Sequence, residues 1–140
     1  MTTNTQPIIT ELDAARIQDL GNRLPNQGQG LEPFLQLLSK VHDEAEIVPG
    51  RKISPDIVTV NSTVTFRDEL TDSEHRVTLV YPAEMSISQR RISVLSPVGR
   101  ALLGHAVGSV TSFELPDGTM RAIRVLELNY QPEASGEFTR

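Results

Sequence analysis

The hydrophobic pattern of this chain changes its period at Pro49-Gly50, and this change limits the folds that the chain can adopt. Before it, apolar side chains recur at alternating spacings of three and four residues: Leu31, Phe34, Leu38, Val41, Ala45 and Val48. That spacing is a heptad seam and predicts one long helix, which Pro49-Gly50 ends. After Pro55, apolar and polar residues alternate in short runs that are typical of strands. The sequence therefore predicts an α+β protein with its helices first.

A shorter helix is predicted before the seam, over residues 11–22. Thr10 is a good N-cap residue, and Asp13 is placed to meet the free backbone N–H groups of the first turn. The loop that follows, residues 25–30, reads Pro-Asn-Gln-Gly-Gln-Gly. Two apolar helices joined by a short loop favour an antiparallel hairpin, a short coiled coil about 27 Å long at the helical rise per residue. The alternative is that both helices simply cover a sheet.

The rest of the chain is predicted to be a small, mostly antiparallel β-rich unit with one helix. Strands are expected at residues 57–60, 63–66, 76–81, 92–95, 109–115 and 120–130. Ser96 can cap the helix and Pro97 suits its first position, while Pro116-Asp117-Gly118 predicts a turn.

These elements divide the chain into a helical hairpin over residues 1–50 and a β domain over residues 51–140. The tail from Gln131 is expected to be disordered.

Charge and composition exclude several function classes. The net charge of −5 argues against an extended nucleic-acid surface or adhesion to an anionic membrane, which need clustered Lys and Arg. The absence of cysteine excludes disulfides and thiolate chemistry. The first residues lack the apolar core of a signal peptide, and no apolar run approaches a membrane span in length. A cytoplasmic protein is expected.

No catalytic, cofactor-binding or metal-binding residues are predicted. His42, His75 and His105 are far apart and do not have metal-ligand spacing. The sequence contains neither a P-loop nor a GxGxxG motif. The protein is therefore expected not to be an enzyme.

Several segments resemble the Gre transcript-cleavage factors. The run Ile92–Gly104, Val107-Gly108 and the turn Leu115–Gly118 are similar to the C-terminal domain of those factors. Further runs resemble a narrower related family, the regulators of nucleoside diphosphate kinase (Rnk): residues 12–17, 61–67, 79–83 and 126–134. The resemblance covers nearly the whole chain and implies an FKBP-like fold for the β domain.

The resemblance implies a transcription regulator whose partner is RNA polymerase. Gre factors place their C-terminal domain at the rim of the polymerase secondary channel, on a coiled coil of the β′ subunit, and extend a helical finger with an acidic tip that helps hold catalytic Mg²⁺. Carried over to this chain, the docking residues are Ser93, Leu95, Ser96 and Pro97. The leucine replaces a residue that is often polar in cleaving factors.

The hairpin tip departs from the cleaving factors. It contains Asn26, Gln27 and Gln29 but no carboxylate, and Mg²⁺ prefers anionic oxygen ligands. The hairpin is also short. We therefore expect rim docking in competition with Gre-type factors, without stimulation of transcript cleavage, by a monomer that needs no cofactor. Neither a membrane nor sequence-specific nucleic-acid contact is expected.

Three alternatives stay open besides nucleic-acid binding, which the net charge of −5 disfavours. The protein could act by binding another cytoplasmic protein directly, such as nucleoside diphosphate kinase. The implied fold also suggests a peptidyl-prolyl isomerase, which the scarcity of aromatic residues disfavours, since such pockets need clustered rings to desolvate proline. Finally, the apolar seam from Leu31 to Val48 could serve a dimer.

Overall fold

The computed structural model describes residues 6–21 and 31–137 and has an α+β architecture. Its helices and strands follow the order β1 (Ile8–Thr10), α1 (Glu11–Leu20), α2 (Leu31–Ser39), β2 (Glu46–Val48), β3 (Thr63–Asp68), β4 (Glu74–Val80), β5 (Arg91–Ser93), α3 (Pro97–Leu102), β6 (Val110–Glu114) and β7 (Met120–Tyr130). A π-helical turn, Lys40–Glu44, continues α2. Short 3₁₀ turns lie at Gly50–Lys52, Pro82–Glu84 and Glu133–Ser135.

The centre of the fold is a curled, five-stranded mixed sheet with the strand order β5-β4-β3-β7-β6. Three neighbouring pairs are antiparallel, in agreement with the sequence prediction. The fourth, β4 with β5, is parallel, with Leu79 opposite Ile92. Register shifts at Thr63/Val64 and Thr65/Phe66 bend β3 against β7, because a bulge increases the local twist.

The first predicted helix is confirmed. Helix α1 begins after Thr10, whose hydroxyl accepts a 3.1 Å hydrogen bond from the backbone nitrogen of Asp13. It ends at Leu20, where Gly21 lies against the ring of Phe34 in α2. A Cβ at Gly21 would lie 2.8 Å from that ring, so the glycine allows the two helices to approach each other.

The second predicted helix is shorter than expected, because the heptad seam does not continue to Val48. Ala45 has extended backbone angles, and residues 46–48 form strand β2 beside β1 in parallel pairing, with Ile9 opposite Ile47. The nitrogen of Glu46 donates a 2.9 Å hydrogen bond to the carbonyl of Pro7. Pairing with β1 and the β-branched residues of this segment override its helical spacing.

The helices and the β-rich part share one core. Ile17 of α1 and Leu37 of α2 belong to the same buried cluster as Val58 and Leu102. The described parts of both helices therefore pack on the β-rich part of the chain. The hairpin tip at residues 25–30 lies outside the described residues, and the division of the chain near residue 50 stays a prediction.

The predicted strand at residues 57–60 is wrong. This segment is buried, but Ile57 forms only an isolated bridge with Ala106. Its backbone is satisfied irregularly: Val58 exchanges hydrogen bonds with His105 and Gly104, and the nitrogen of Val60 donates to Asp13. Side chains and loops take the place of a neighbouring strand.

The expectation of a disordered tail from Gln131 is also wrong for the residues up to 137. Gln131 is buried, and its amide nitrogen donates hydrogen bonds of 2.8 and 2.7 Å to the carbonyls of Ser54 and Ile57. These contacts hold the chain after β7 against the buried segment.

Candidate protein-docking site

The structure brings Ser93, Leu95, Ser96 and Pro97 together in one tight turn between β5 and α3, the docking turn. The carbonyl of Ser93 accepts hydrogen bonds from the nitrogen and the hydroxyl of Ser96, at 3.0 and 2.7 Å. The hydroxyl of Ser93 accepts a 3.0 Å bond from the nitrogen of Leu95. The turn therefore has a fixed shape, and its use for docking stays a prediction.

Ser96 caps α3 as the sequence predicts, since its hydroxyl accepts a 3.0 Å hydrogen bond from the nitrogen of Gly99. Pro97 occupies the first turn of the helix. A Cβ at Gly99 would lie 2.1 Å from the carbonyl oxygen of Ser93. Only glycine allows the helix to start this close to the end of β5.

A chain of hydrogen bonds connects the turn to the N-terminal part of the protein. The guanidinium of Arg100 donates to the carbonyl of Leu95, and the ammonium group of Lys40 donates to the carbonyl of Arg100. Burial lowers the pKa of Lys40 to about 7, and the positive charge of Arg100 also lowers it, while Glu44 acts in the opposite direction. The π-helical turn thereby contacts α3 through the hydrogen bond from Lys40.

A cleft of about 660 Å³ lies beside the turn, which forms one of its walls. Lys40, Arg100 and His105 line its interior. Further lining residues come from α2, the π-helical turn, the docking turn and β6: Glu32, Gln36, Glu44, Leu95, Pro97 and Glu114.

His105 is a buried and uncharged member of this lining. It is 3 % exposed, and its Nδ1 atom has no hydrogen-bond partner within the described part of the chain. Burial lowers its pKa to about 3, and the charge of Lys40 contributes in the same direction. The imidazole is therefore neutral at physiological pH.

The sequence interpretation did not identify Lys40 as part of this region. Its position was a usable signal, because Lys40 lies three residues after Leu37 and directly before Val41, both of which are buried. A lysine on the apolar side of a helix must find a polar partner, and here that partner is the carbonyl of Arg100. The predicted tip residues, Asn26, Gln27 and Gln29, lie outside the described residues.

Comparison with known proteins identifies the family. The family model described as "Transcription elongation factor, GreA/GreB, C-term" matches residues 52–130, which contain the whole turn. This chain belongs to the GreA/GreB family. The resemblance that the sequence suggests is confirmed.

The relatives of this GreA/GreB family member are named as regulators or transcription factors rather than as enzymes. The regulator of nucleoside diphosphate kinase of Escherichia coli K12 is 45% identical over 132 residues, covering 94% of both chains. The transcription elongation factor GreA of Flavobacterium johnsoniae is 30% identical over 124 residues, covering 83% of this chain and 78% of its own. A solved GreA/GreB structure from Nitrosomonas europaea has a TM-score of 0.67 and 37% identity, covering 91% of this chain and all of the other.

Residues 6–21 and 31–137 contain no group of three His, Cys, Asp or Glu side chains arranged to hold a metal ion. No helix in those ranges is long and apolar enough to cross a membrane.

Proposed function

We propose that this protein binds RNA polymerase at the rim of the secondary channel, on the β′ coiled coil, and competes there with Gre-type factors without stimulating transcript cleavage. The observation that carries the proposal is the turn formed by Ser93, Leu95, Ser96 and Pro97. It lies inside the segment that matches the GreA/GreB C-terminal domain, and its hydrogen bonds fix its shape. A loop that is ordered before binding loses little conformational entropy when it docks.

The chemistry of the turn suits contact with an apolar protein surface. Leu95 and Pro97 are only partly buried, so their side chains offer apolar area to a partner. The hydroxyls of Ser93 and Ser96 are engaged within the turn. Docking through this turn is therefore expected to depend mainly on shape and apolar contact.

The length of the helical part and the charge of the segment between the helices both argue against stimulation of transcript cleavage. The helical conformation that includes α2 and the π-helical turn ends at Glu44 and not at Val48, which is earlier than the sequence alone predicts. The segment between the helices contains Asn26, Gln27 and Gln29 but no carboxylate from residue 25 to residue 30. Mg²⁺ is held mainly by carboxylate oxygens, and amides add no negative charge.

We also propose the finer architecture, a short helical hairpin over residues 1–50 followed by an FKBP-like domain over residues 51–140, in a cytoplasmic monomer. The match to the family domain, which begins at residue 52, supports the boundary. The mass of the purified protein in light scattering tests the monomer, because a dimer formed through α2 would double it.

The first test is binding of fluorescently labelled protein to core RNA polymerase, followed by anisotropy. We expect saturable binding that an unlabelled Gre factor displaces and that Ser96→Arg abolishes, because a long cationic side chain replaces the capping hydroxyl. No binding at micromolar polymerase would refute the proposal. A transcript-cleavage assay tests its second part, and clear stimulation over polymerase alone would contradict it.

A second candidate is direct regulation of nucleoside diphosphate kinase. It is supported by the name of the Escherichia coli relative, which is 45% identical to this chain. Purified kinase and this protein, mixed without polymerase, would form a complex in analytical ultracentrifugation if the contact is direct. Two independent species would exclude it.

A further inference from the structure

The cleft beside the docking turn is built from two parts of the chain. Leu95, Pro97 and Glu114 belong to the segment that matches the GreA/GreB C-terminal domain. Glu32 and Glu44, which also line the cleft, belong to α2 and the π-helical turn, which precede that segment. A partner docked on the turn therefore meets a second surface that the family domain does not supply.

Three of the residues that line this cleft are exposed glutamates. Glu32, Glu44 and Glu114 are all exposed, and none of them forms an ion pair with another residue in the ranges that the structure describes. The two cations of the interior donate to backbone carbonyls: the ammonium group of Lys40 donates to the carbonyl of Arg100, and the guanidinium of Arg100 donates to the carbonyl of Leu95. Glu32 and Glu114 thus remain available to a partner, while Glu44 also acts on the pKa of Lys40.

We infer that the cleft receives a basic side chain, arginine or lysine, from the polymerase segment that docks on Leu95 and Pro97. The inference rests on the proposed function and extends the interface from the family domain onto α2. The partner segment would place an apolar side chain against the turn and its cation among the carboxylates of Glu32, Glu44 and Glu114. Charge-assisted hydrogen bonds of this kind are about twice as strong as neutral ones.

The same charges disfavour other occupants. A phosphate or carboxylate ligand in the cleft would face the three glutamate carboxylates among its lining residues. Nucleic acid would be repelled for the same reason, because its binding depends on cationic contacts to phosphate. A cationic protein segment fits the cleft best. The glutamate carboxylates attract its charge at long range, and Leu95 and Pro97 offer it an apolar contact.

The test uses charge reversal on each wall of the cleft. Glu32→Lys on α2 and Glu114→Lys on β6 are compared with Glu74→Lys, which makes the same charge change at an exposed position outside the cleft. Binding to core RNA polymerase is measured by anisotropy at low and high salt. We expect each cleft variant to bind about tenfold more weakly at low salt, with a smaller difference at high salt because ions screen exposed charges. Glu74→Lys should bind within about twofold of the wild type.

The outcomes separate this inference from the function on which it rests. If the cleft variants bind like Glu74→Lys while Ser96→Arg still abolishes binding, the cleft contact is wrong and rim docking stands. If the unmodified protein does not bind polymerase, both the cleft contact and rim docking are wrong. Circular dichroism of each variant confirms that it is folded, and Glu44→Gln, which removes one charge without reversing it, should give a smaller loss in the same direction.

Discussion

The hydroxyl of Tyr81 donates a 3.1 Å hydrogen bond to Oδ1 of Asp13, 68 positions earlier in the chain. Oδ2 of the same carboxylate accepts a 3.1 Å bond from the backbone nitrogen of Val60. Asp13 thereby ties α1 to two separate segments of the β-rich part. Burial raises the pKa of Asp13 to about 6. The charge of Glu133 also raises this pKa, and the hydrogen bonds lower it.

We predict that Asp13→Asn stabilises the protein at pH 8. The amide can accept from Val60 through its oxygen and donate to the hydroxyl of Tyr81, so both contacts are kept without a buried charge. Because a tenfold change in proton affinity is worth about 1.4 kcal/mol, ionising Asp13 costs the folded state on the order of 3 kcal/mol. Urea denaturation at pH 8 checks this, and a loss of stability comparable to that of Asp13→Ala would contradict it.

The pH dependence of Asp13 follows from the direction of its shift. Its pKa is about 6 in the folded state and about 4 in the unfolded chain. The contribution of Asp13 to the free energy of unfolding is therefore fully present below about pH 4 and is lost as the pH rises through about 6. The difference in unfolding free energy between wild type and Asp13→Asn should change between these values and stay constant above about pH 7.

His105 should have the opposite pH dependence. Its pKa falls to about 3 in the folded state from about 6.5 in the unfolded chain. The stability that it contributes is present above about pH 6.5 and is lost as the pH falls toward 3, because only the unfolded chain takes up the proton. Relative to His105→Leu, the wild type should lose roughly 2 kcal/mol between pH 7 and pH 5. Parallel stability curves for the two proteins would show that His105 titrates normally.

Much of the fold follows from local sequence patterns. The bounds of β7 agree with the prediction, and the short turn that joins β7 to its antiparallel partner β6 is a local feature of the sequence. Both helix caps were predictable, since Thr10 and Ser96 each precede a segment whose first N–H groups need an acceptor. In these places the local chemistry and the tertiary structure require the same conformation.

The errors arise where distant contacts decide the conformation. Residues 46–48 fit the helical seam, yet they pair with β1, which lies nearly forty residues earlier in the sequence. Residues 57–60 have the composition of a strand, but their backbone is satisfied by Asp13 and by the segment around His105. The cleft was not predictable either, because its lining residues come from two parts of the chain, 32–44 and 95–116, that only the tertiary structure brings together.

The docking turn should be sensitive to any side chain at position 99. In Gly99→Ala the new Cβ would clash with the carbonyl of Ser93, so the turn must open, at a cost of about 1–3 kcal/mol or more. Ser96→Ala should cost only about 1 kcal/mol, because it removes the cap but adds no clash. Thermal denaturation ranks the two variants, with Val98→Ala in the same helix as the comparison. Gly99→Ala should also weaken polymerase binding more than Ser96→Ala, and equal effects would argue against a rigid docking turn.

Gln131 should contribute more to stability than its position after the last strand suggests. Its amide donates to the carbonyls of Ser54 and Ile57, and Gln131→Ala leaves both without that partner. The carbonyl of the buried Ile57 would be left unsatisfied, which costs about 1–3 kcal/mol, so we expect a loss in that range in urea denaturation. Gln89→Ala, at an exposed position, provides the control and should change stability by less than about 0.5 kcal/mol. If both variants are equally stable, the buried segment at residues 54–57 does not depend on Gln131 for its conformation.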